Sequence, residues 1–256
     1  MQHFFVKPEQ IFEGRARIEG EDHKHISRVL RMKPGEELMI SDGSDWDYLC
    51  RIESIGEEEI LLKIEEENIS PKELPSKLFL FQALPKSDKM ELIIQKAVEL
   101  GVYEIIPFIS RRVIVKLDEK KIRSKLQRWR AIALSAAKQS GRSIIPEIKE
   151  PMDFQAALCY AKDFDRKLIP YELADDIRAS ANLLSSIKKN ENIAVFIGPE
   201  GGFEKGEIEA AKDRGFEAIT LGGRILRTET AGFVILSNLM LRLEAERGKE
   251  NEESGR

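Results

Sequence analysis

The spacing of apolar residues changes near residue 77, and the change splits the chain in two. Before it, apolar positions come in short runs. Residues 37–40, 47–52 and 60–64 read as strands, separated by the turn formers Asp42-Gly43 and by the polar stretch 54–59. One helix interrupts them: Glu21 and Asp22 open it, Ile26, Val29 and Leu30 repeat at helical spacing, and Pro34-Gly35 closes the segment. Several short strands must close up to hide their edges, so residues 1–70 are expected to form a small β-rich barrel. The stretch 65–77, EEENISPKELPSK, is polar and aperiodic with two prolines, as in a linker.

Strand and helix patterns alternate after that point. Residues 78–84 (LFLFQAL) are almost continuously apolar, as in a strand buried on both faces. A helix follows from Asp88, which stands with Glu91 at capping-box spacing; Ile93, Ala97 and Leu100 form its apolar face and Gly101 ends it. Residues 105–109 read as a strand. Residues 118–139 read as a long helix with Ile122, Leu126, Trp129 and Ala133 on one face. Further strands are expected at 167–170, 193–197 and 218–221, and a last helix at 230–246. Repeated strand–helix units predict an α/β domain over 75–247, with a mainly parallel sheet and helices on both faces. The polar residues 248–256 are expected to fray.

Composition narrows the choice of function. The chain of 256 residues is about 1.7 typical domain lengths, and 42% of it is hydrophobic, enough for a real core. No apolar run approaches the ~20 residues that span a bilayer, so no membrane association is expected. The start, MQHFFVKPEQ, lacks a basic region followed by an apolar one, so no signal peptide is expected. Cys50 and Cys159 are far apart, which predicts a cytoplasmic protein without a disulfide framework or a cysteine zinc site. His3, His23 and His25 all lie near the N-terminus, and no metal is expected. Charge is uneven. Residues 1–70 carry 9 basic and 17 acidic side chains, net -8, whereas residues 71–150 carry 17 and 9, net +8. The basic middle fits either an anionic partner such as a nucleic-acid backbone or a solvated helix face.

Two loops carry the candidate chemistry. IGPEGGF, residues 197–203, follows the most apolar strand and precedes a helix. Its three glycines allow a ligand to approach the backbone. LGGRILRTETA, residues 221–231, follows the last strand and sets Arg224, Arg227 and Glu229 close together, with Thr228 or Thr230 able to cap the last helix. Ligands of open α/β sheets bind at such strand ends. A third polar turn is SAAKQSGR, residues 135–142, and a fourth is LPKSDK, where Lys86 and Lys89 follow the first strand of the large domain. Neither GxGxxG nor GxxxxGK[ST] occurs, nor do GxSxG or HExxH, so dinucleotide, P-loop, hydrolase-elbow and zincin chemistries are disfavoured. The large domain has no histidine, which excludes a histidine base supplied by it.

Taken together, LPKSDKMELIIQKAVELGV, AAKQSGR, IGPEGGF and LGGRILRTETA, in this order and with HISRVLRMKPGEEL (residues 25–38) before them, closely resemble the RsmE family of bacterial small-subunit ribosomal RNA uridine N3-methyltransferases. The resemblance covers nearly the whole chain. It implies a PUA-like RNA-binding barrel over 1–70, and over 75–247 a SPOUT α/β methyltransferase domain whose chain end is threaded into a trefoil knot. It also implies S-adenosyl-L-methionine as cofactor and a homodimer. Carried over by position, Leu84, Ile197, Gly198, Pro199, Glu200, Gly201, Leu221, Gly222, Ile225, Leu226, Arg227, Thr230 and Ala231 would surround the cofactor. One departure stands out: Ser135 and Lys138 occupy positions before QSGR where the family often has acids, which makes that helix end more basic.

The chemistry that the resemblance implies is methylation of a uracil N3 in ribosomal RNA, with the target expected in the decoding region of the 16S molecule of the small ribosomal subunit. N3 must lose its proton, and Arg224, Arg227 or Arg142 could stabilise the negative charge that results, with Arg227 expected to act mainly in the transition state and Arg224 as the alternative. Glu229 or a water could take the proton. Arg28, Arg31, Lys33, Lys86, Lys89, Arg111, Arg112 and Arg142 are the expected RNA contacts. The wide apolar face of the last helix, with Phe233, Val234, Leu236, Leu239, Met240 and Leu243, fits a twofold dimer. The alternatives are a non-catalytic RNA-binding assembly factor and a SPOUT enzyme acting on another RNA such as transfer RNA.

Overall fold

In the computed structural model, inward and outward side chains alternate along the early strands and build one six-stranded sheet. The structure describes residues 1–44, 46–67, 72–86, 88–113, 119–174 and 176–254. They fall into two units, Met1–Glu73 with Ala137–Ile145, and Leu74–Ala136 with Pro146–Arg256.

The first unit contains β1 (His3–Phe5), β2 (Ile11–Phe12), β3 (Arg15–Glu19), α1 (Gly20–Lys24), β4 (Glu37–Ser41), β5 (Asp47–Ile55) and β6 (Glu59–Glu67). The strand order is β1-β4-β5-β6-β3-β2, with β1 parallel to β4 and the other pairs antiparallel. Residues two apart face inward: Ala16 and Ile18, Leu38 and Ile40, Cys50 and Ile52, Ile60 and Leu62. The three expected strands are present as β4, β5 and β6. The shorter β1 and β2 have too few residues to show a period, and β3, whose Ala16 and Ile18 alternate inward, is not among the expected strands. The expected helix is α1 continued by a π-helical turn, His25–Leu30, after which Arg31 adopts a left-handed conformation at φ 53°. Of the expected linker, 65–67 continue β6 and 68–71 lie outside the described residues.

The second unit contains β7 (Lys77–Ala83), α2 (Lys89–Glu99), β8 (Val102–Ile109), α3 (Glu119–Ser140) up to Ala136, β9 (Glu147–Ile148), β10 (Met152–Asp153), α4 (Phe154–Tyr160), β11 (Arg166–Pro170), α5 (Ile177–Ser186), β12 (Asn192–Ile197), α6 (Lys205–Lys212), β13 (Glu217–Ile219) and α7 (Thr228–Ser254). The strands lie in the order β10-β8-β7-β12-β11-β13, with β9 on β8, and every pair is parallel. β7 and β12 are central, which explains their continuous apolar runs. Phe79, Phe81 and Ala83 face one side, in a core with Phe154 of α4 and Ile208 of α6; the Phe81 and Phe196 rings stack at 4.1 Å. Leu78, Leu80 and Gln82 alternate to the other side. No helix is long and apolar enough to cross a membrane among the described residues.

Three local expectations change. Asp88 makes no side-chain cap, and the Glu91 carboxylate binds Arg128 at 2.7 Å instead. The last helix begins at Thr228 rather than 230, and the Thr228 hydroxyl is used elsewhere, as described below. The helix also continues through Ser254, past the expected end, because KENEES is rich in helix-forming Glu and Lys.

Candidate functional site

Parallel strands deliver their C-terminal ends to one edge of the sheet, and in the second unit three of these ends form a cleft. It follows β11, β12 and β13 and encloses about 760 Å³, part of it open to solvent. Pro170, Tyr171 and Glu172 come from the end of β11. Ile197, Gly198, Pro199, Glu200, Gly202 and Phe203 come from the glycine loop after β12. Thr220, Leu221, Gly222, Arg224, Ile225 and Leu226 follow β13, and Thr228 and Ala231 open α7.

The backbone of both loops is tightly specified. Gly202 N donates to Pro199 O at 2.9 Å and closes a turn. A Cβ built on Gly198 would stand 3.0 Å from the Phe203 ring, so the ring packs directly on that glycine. Gly222 has φ 113°, which only glycine adopts without strain, and its N–H is bound by the Thr220 hydroxyl at 3.2 Å. Thr228 Oγ1 donates to Gly198 O at 2.6 Å and so ties the second loop to the first. Arg112 reaches in from beyond β8 and donates to Gly201 O at 2.6 Å.

Charge in the cleft is mostly negative on one side. Glu200 accepts from Lys86 N at 3.0 Å and lies 3.4 Å from Lys89 Nζ. Burial opposes its ionisation, but the Glu200 and Lys86 amides and the Lys89 ammonium outweigh that and hold its carboxyl below the usual range. Glu172 extends over the glycine loop, 3.8 Å from where a Gly202 Cβ would lie. Arg224 is exposed, and among the described residues it makes no hydrogen bond or ion pair.

Most of the expected cofactor residues meet here. Ile197, Gly198, Pro199, Glu200, Leu221, Gly222, Ile225, Leu226 and Ala231 line the cleft. Leu84, Gly201, Arg227 and Thr230 do not: Leu84 is buried, with its N–H on Phe108 O, and Arg227 and Thr230 are exposed. Of the expected catalytic groups only Arg224 lines it. Glu229 is tied to Lys89 at 3.2 Å. Arg142 belongs to the first unit, is 4% exposed, and is held by the Glu73 carboxylate. Among the expected RNA contacts, Arg28, Arg31 and Lys33 are exposed on the first unit, and Lys86 is exposed on the second. Lys89 is bound between Glu200 and Glu229, and Arg111 pairs with Glu204 at 3.4 Å. The sequence reading missed Pro170, Tyr171, Glu172 and Thr220. They lie at strand ends like the others, but YELA has no glycine to draw attention.

The donor set suits a sulfonium cofactor with an adenine ring. Ile197, Leu221, Ile225 and Leu226 offer apolar walls, Glu172 and Glu200 offer negative charge to a cation, and the glycine loops offer close backbone. Among the described residues, no group of three or more His, Cys, Asp or Glu side chains could hold a metal ion.

Comparison with known proteins points the same way. A family model described as an RNA methyltransferase domain matches residues 72–240, and one described as an RNA methyltransferase PUA domain matches residues 18–65. The chain is 36% identical over 256 residues to ribosomal RNA small subunit methyltransferase E of Bacillus subtilis (strain 168), covering 98% of this chain and 100% of the relative. It is 43% identical over 192 residues to the protein of the same name from Mesomycoplasma hyopneumoniae (strain 232), covering 74% and 79%. A crystal structure of ribosomal RNA small subunit methyltransferase E from Neisseria gonorrhoeae bound to S-adenosyl methionine superposes with a TM-score of 0.80 at 29% identity, covering 94% of this chain and 97% of that one.

Proposed function

The chain belongs to the ribosomal RNA small subunit methyltransferase E family, and we propose that it methylates N3 of a uridine in 16S ribosomal RNA within the small subunit. It is an S-adenosylmethionine-dependent ribosomal RNA methyltransferase with a PUA domain and a parallel-sheet SPOUT domain. The observation that carries the proposal is the Arg224 guanidinium, without a hydrogen-bond or ion-pair partner among the described residues, in a cleft that otherwise suits a cationic cofactor.

Bound S-adenosylmethionine supplies an electrophilic methyl group on a positively charged sulfur. The cleft would hold it between the glycine loop after β12 and the apolar residues Leu221, Ile225 and Leu226. Uracil N3 is a poor nucleophile until its proton is lost, and the charge then spreads over O2, N3 and O4. Arg224 is placed to stabilise that charge. Glu229, held by Lys89 and outside the cleft lining, is not the base in this reading, and the proton passes to water. Arg28, Arg31 and Lys33 of the first unit, with Lys86 of the second, hold phosphates. The reading includes a trefoil knot at the loops after β12 and β13, a cytoplasmic location, and a homodimer. Partly exposed Phe233, Val234 and Met240, with Leu241 66% exposed, leave an apolar face on α7 for the second copy.

The deciding experiment maps modified nucleotides in cells lacking the gene. Loss of one N3-methyluridine from small-subunit RNA, restored by the parent gene and not by Arg224→Ala, is the expected result. Unchanged ribosomal RNA would favour an assembly factor, and a loss confined to transfer RNA would favour another target.

A further inference from the structure

Gln82 is a fully buried glutamine next to the C-terminal end of β7, after the apolar run 78–81, and it points away from the aromatic core toward the start of α7. Its Nε2 donates to Ala83 O at 2.9 Å and to Thr228 Oγ1 at 2.9 Å. Thr228, itself 4% exposed, donates its hydroxyl to Gly198 O at 2.6 Å. Gln82 Oε1 is buried, with no hydrogen-bond partner among the described residues. A buried acceptor left unpaired is costly, and the two bonds that Nε2 donates offset that cost.

The direction of this chain of bonds is fixed at both ends. The Ala83 carbonyl can only accept, so the amide atom facing it must be nitrogen. The Gly198 carbonyl can only accept, so the Thr228 hydrogen must point to it. The hydroxyl lone pair therefore faces Gln82, whose second N–H fills it. Reversing either end would set two acceptors against each other.

The last link bears on the cofactor loop. Residue 199 is proline, so the Gly198–Pro199 peptide has no N–H, and its carbonyl is its one polar handle. Holding Gly198 O inward sets the plane of that peptide and so the direction in which the following residues enter the cleft. Thr228 opens the helix that ends the other loop. One hydroxyl thus joins both walls of the cleft, and its polarity is set from beneath by Gln82.

We propose that Gln82 and Thr228 are positioning residues: together they hold the Gly198 carbonyl in the orientation that makes the cleft competent for S-adenosylmethionine. The inference rests on the reading that this cleft binds that cofactor. If the competent loop arrangement becomes a minor state, apparent affinity falls by the lost fraction, while turnover at saturation changes less.

The test uses the full-length chain and calorimetric titration of S-adenosylmethionine and of S-adenosylhomocysteine. Thr228→Val keeps the shape and removes the hydroxyl, and should weaken both ligands about tenfold, the scale of one buried hydrogen bond. Thr228→Ser should return to within about threefold of the parent, with KM following Kd and kcat changing less. Gln82→Glu supplies a readout that packing does not move. Ionised, it can only accept, so it draws the Thr228 hydrogen away from Gly198; protonated, it can still donate one bond. Its affinity should fall as pH rises across about 6 to 9, where a buried carboxyl titrates, while the parent stays flat. Thr228→Val binding like the parent, Thr228→Ser as weak as Thr228→Val, or Gln82→Glu as flat as the parent would each overturn the inference. If Thr228→Val does not fold, the Gln82→Glu titration decides alone. A parent that binds neither ligand would instead defeat the assignment of the cleft.

Discussion

Arg112 Nη1 lies 2.6 Å from the carbonyl oxygen of Gly201, at the tip of the glycine loop. Arg112 also approaches Glu204 at 3.9 Å, so a guanidinium expected to contact RNA spends its donors on the protein's own loop. Its side chain is 46% exposed, which limits what the bond contributes. Arg112→Ala should weaken S-adenosylmethionine binding by roughly fivefold, as expected for one partly solvated hydrogen bond. RNA affinity should change little. A large fall in RNA affinity with unchanged cofactor binding, measured by filter binding and calorimetry, would return Arg112 to the RNA interface.

The two glycines at the mouth of this loop should respond differently to a methyl group. A Cβ on Gly198 would meet Phe203 at 3.0 and 3.1 Å, and Phe203 is buried in the aromatic core and cannot withdraw freely. A Cβ on Gly201 would meet the flexible Arg112 side chain at 3.4 Å. Gly198→Ala should therefore reduce cofactor affinity by more than tenfold and lower Tm, consistent with overpacking costs of about 1–3 kcal/mol. Gly201→Ala should fall within about threefold of the parent, since ordinary contacts are easily relieved. Thermal melts with and without cofactor would read both effects; equal losses at the two positions would show that loop strain, not the Phe203 contact, sets affinity.

How far the sequence speaks differs from part to part. The long apolar strands β7 and β12 and the helices α2 and α3 were legible because burial on two faces, or a helical stripe, repeats over many residues. The short β1, β2, β9 and β10 were not, because two or three residues cannot show a period. Both glycine loops were legible as a site because glycine marks close backbone approach. Glu172 and Thr220 were hidden because ordinary residues at a strand end carry no such mark. Arg142 shows a second limit. Its buried pairing with Glu73 joins residues 69 apart, and local sequence says nothing of such a partner.

His3 gives the first unit an acid limit. Ser41 commits its hydrogen to the buried Asp47, so His3 Nε2, 2.6 Å from Ser41 Oγ, carries the proton and donates. Ser143 donates to the other Asp47 oxygen at 2.7 Å. Burial pushes the His3 pKa below its ordinary 6.5; Asp47 pulls it back up in part, and Lys72 and Lys138 add to the lowering. The unfolded chain therefore binds the extra proton first, and stability falls as pH drops below 6.5 toward the folded value. His3→Gln should flatten the dependence of Tm on pH in the window just below 6.5. Parallel curves for parent and variant across that window would show that His3 does not titrate on unfolding.

Arg224 and Arg227 stand three residues apart, and the structure separates them by position. Arg224 lines the cleft and Arg227 does not. A guanidinium pressed against a sulfonium would repel it, so an arginine in this cleft serves the anionic uracil better than the cofactor. Arg224→Ala should thus leave cofactor affinity within a few fold and lower the single-turnover methylation rate by roughly 10²-fold, the scale for losing one preorganised donor. Arg224→Lys should recover only part of the rate, because a point charge does not reproduce the planar fork. Arg227→Ala should have a smaller effect on rate, and any loss should appear in RNA affinity and its salt dependence, as for a phosphate contact. Single-turnover rates at saturating cofactor and RNA decide the matter. If Arg227→Ala is the slower of the two, the loop rearranges when RNA binds and Arg227 faces the uracil.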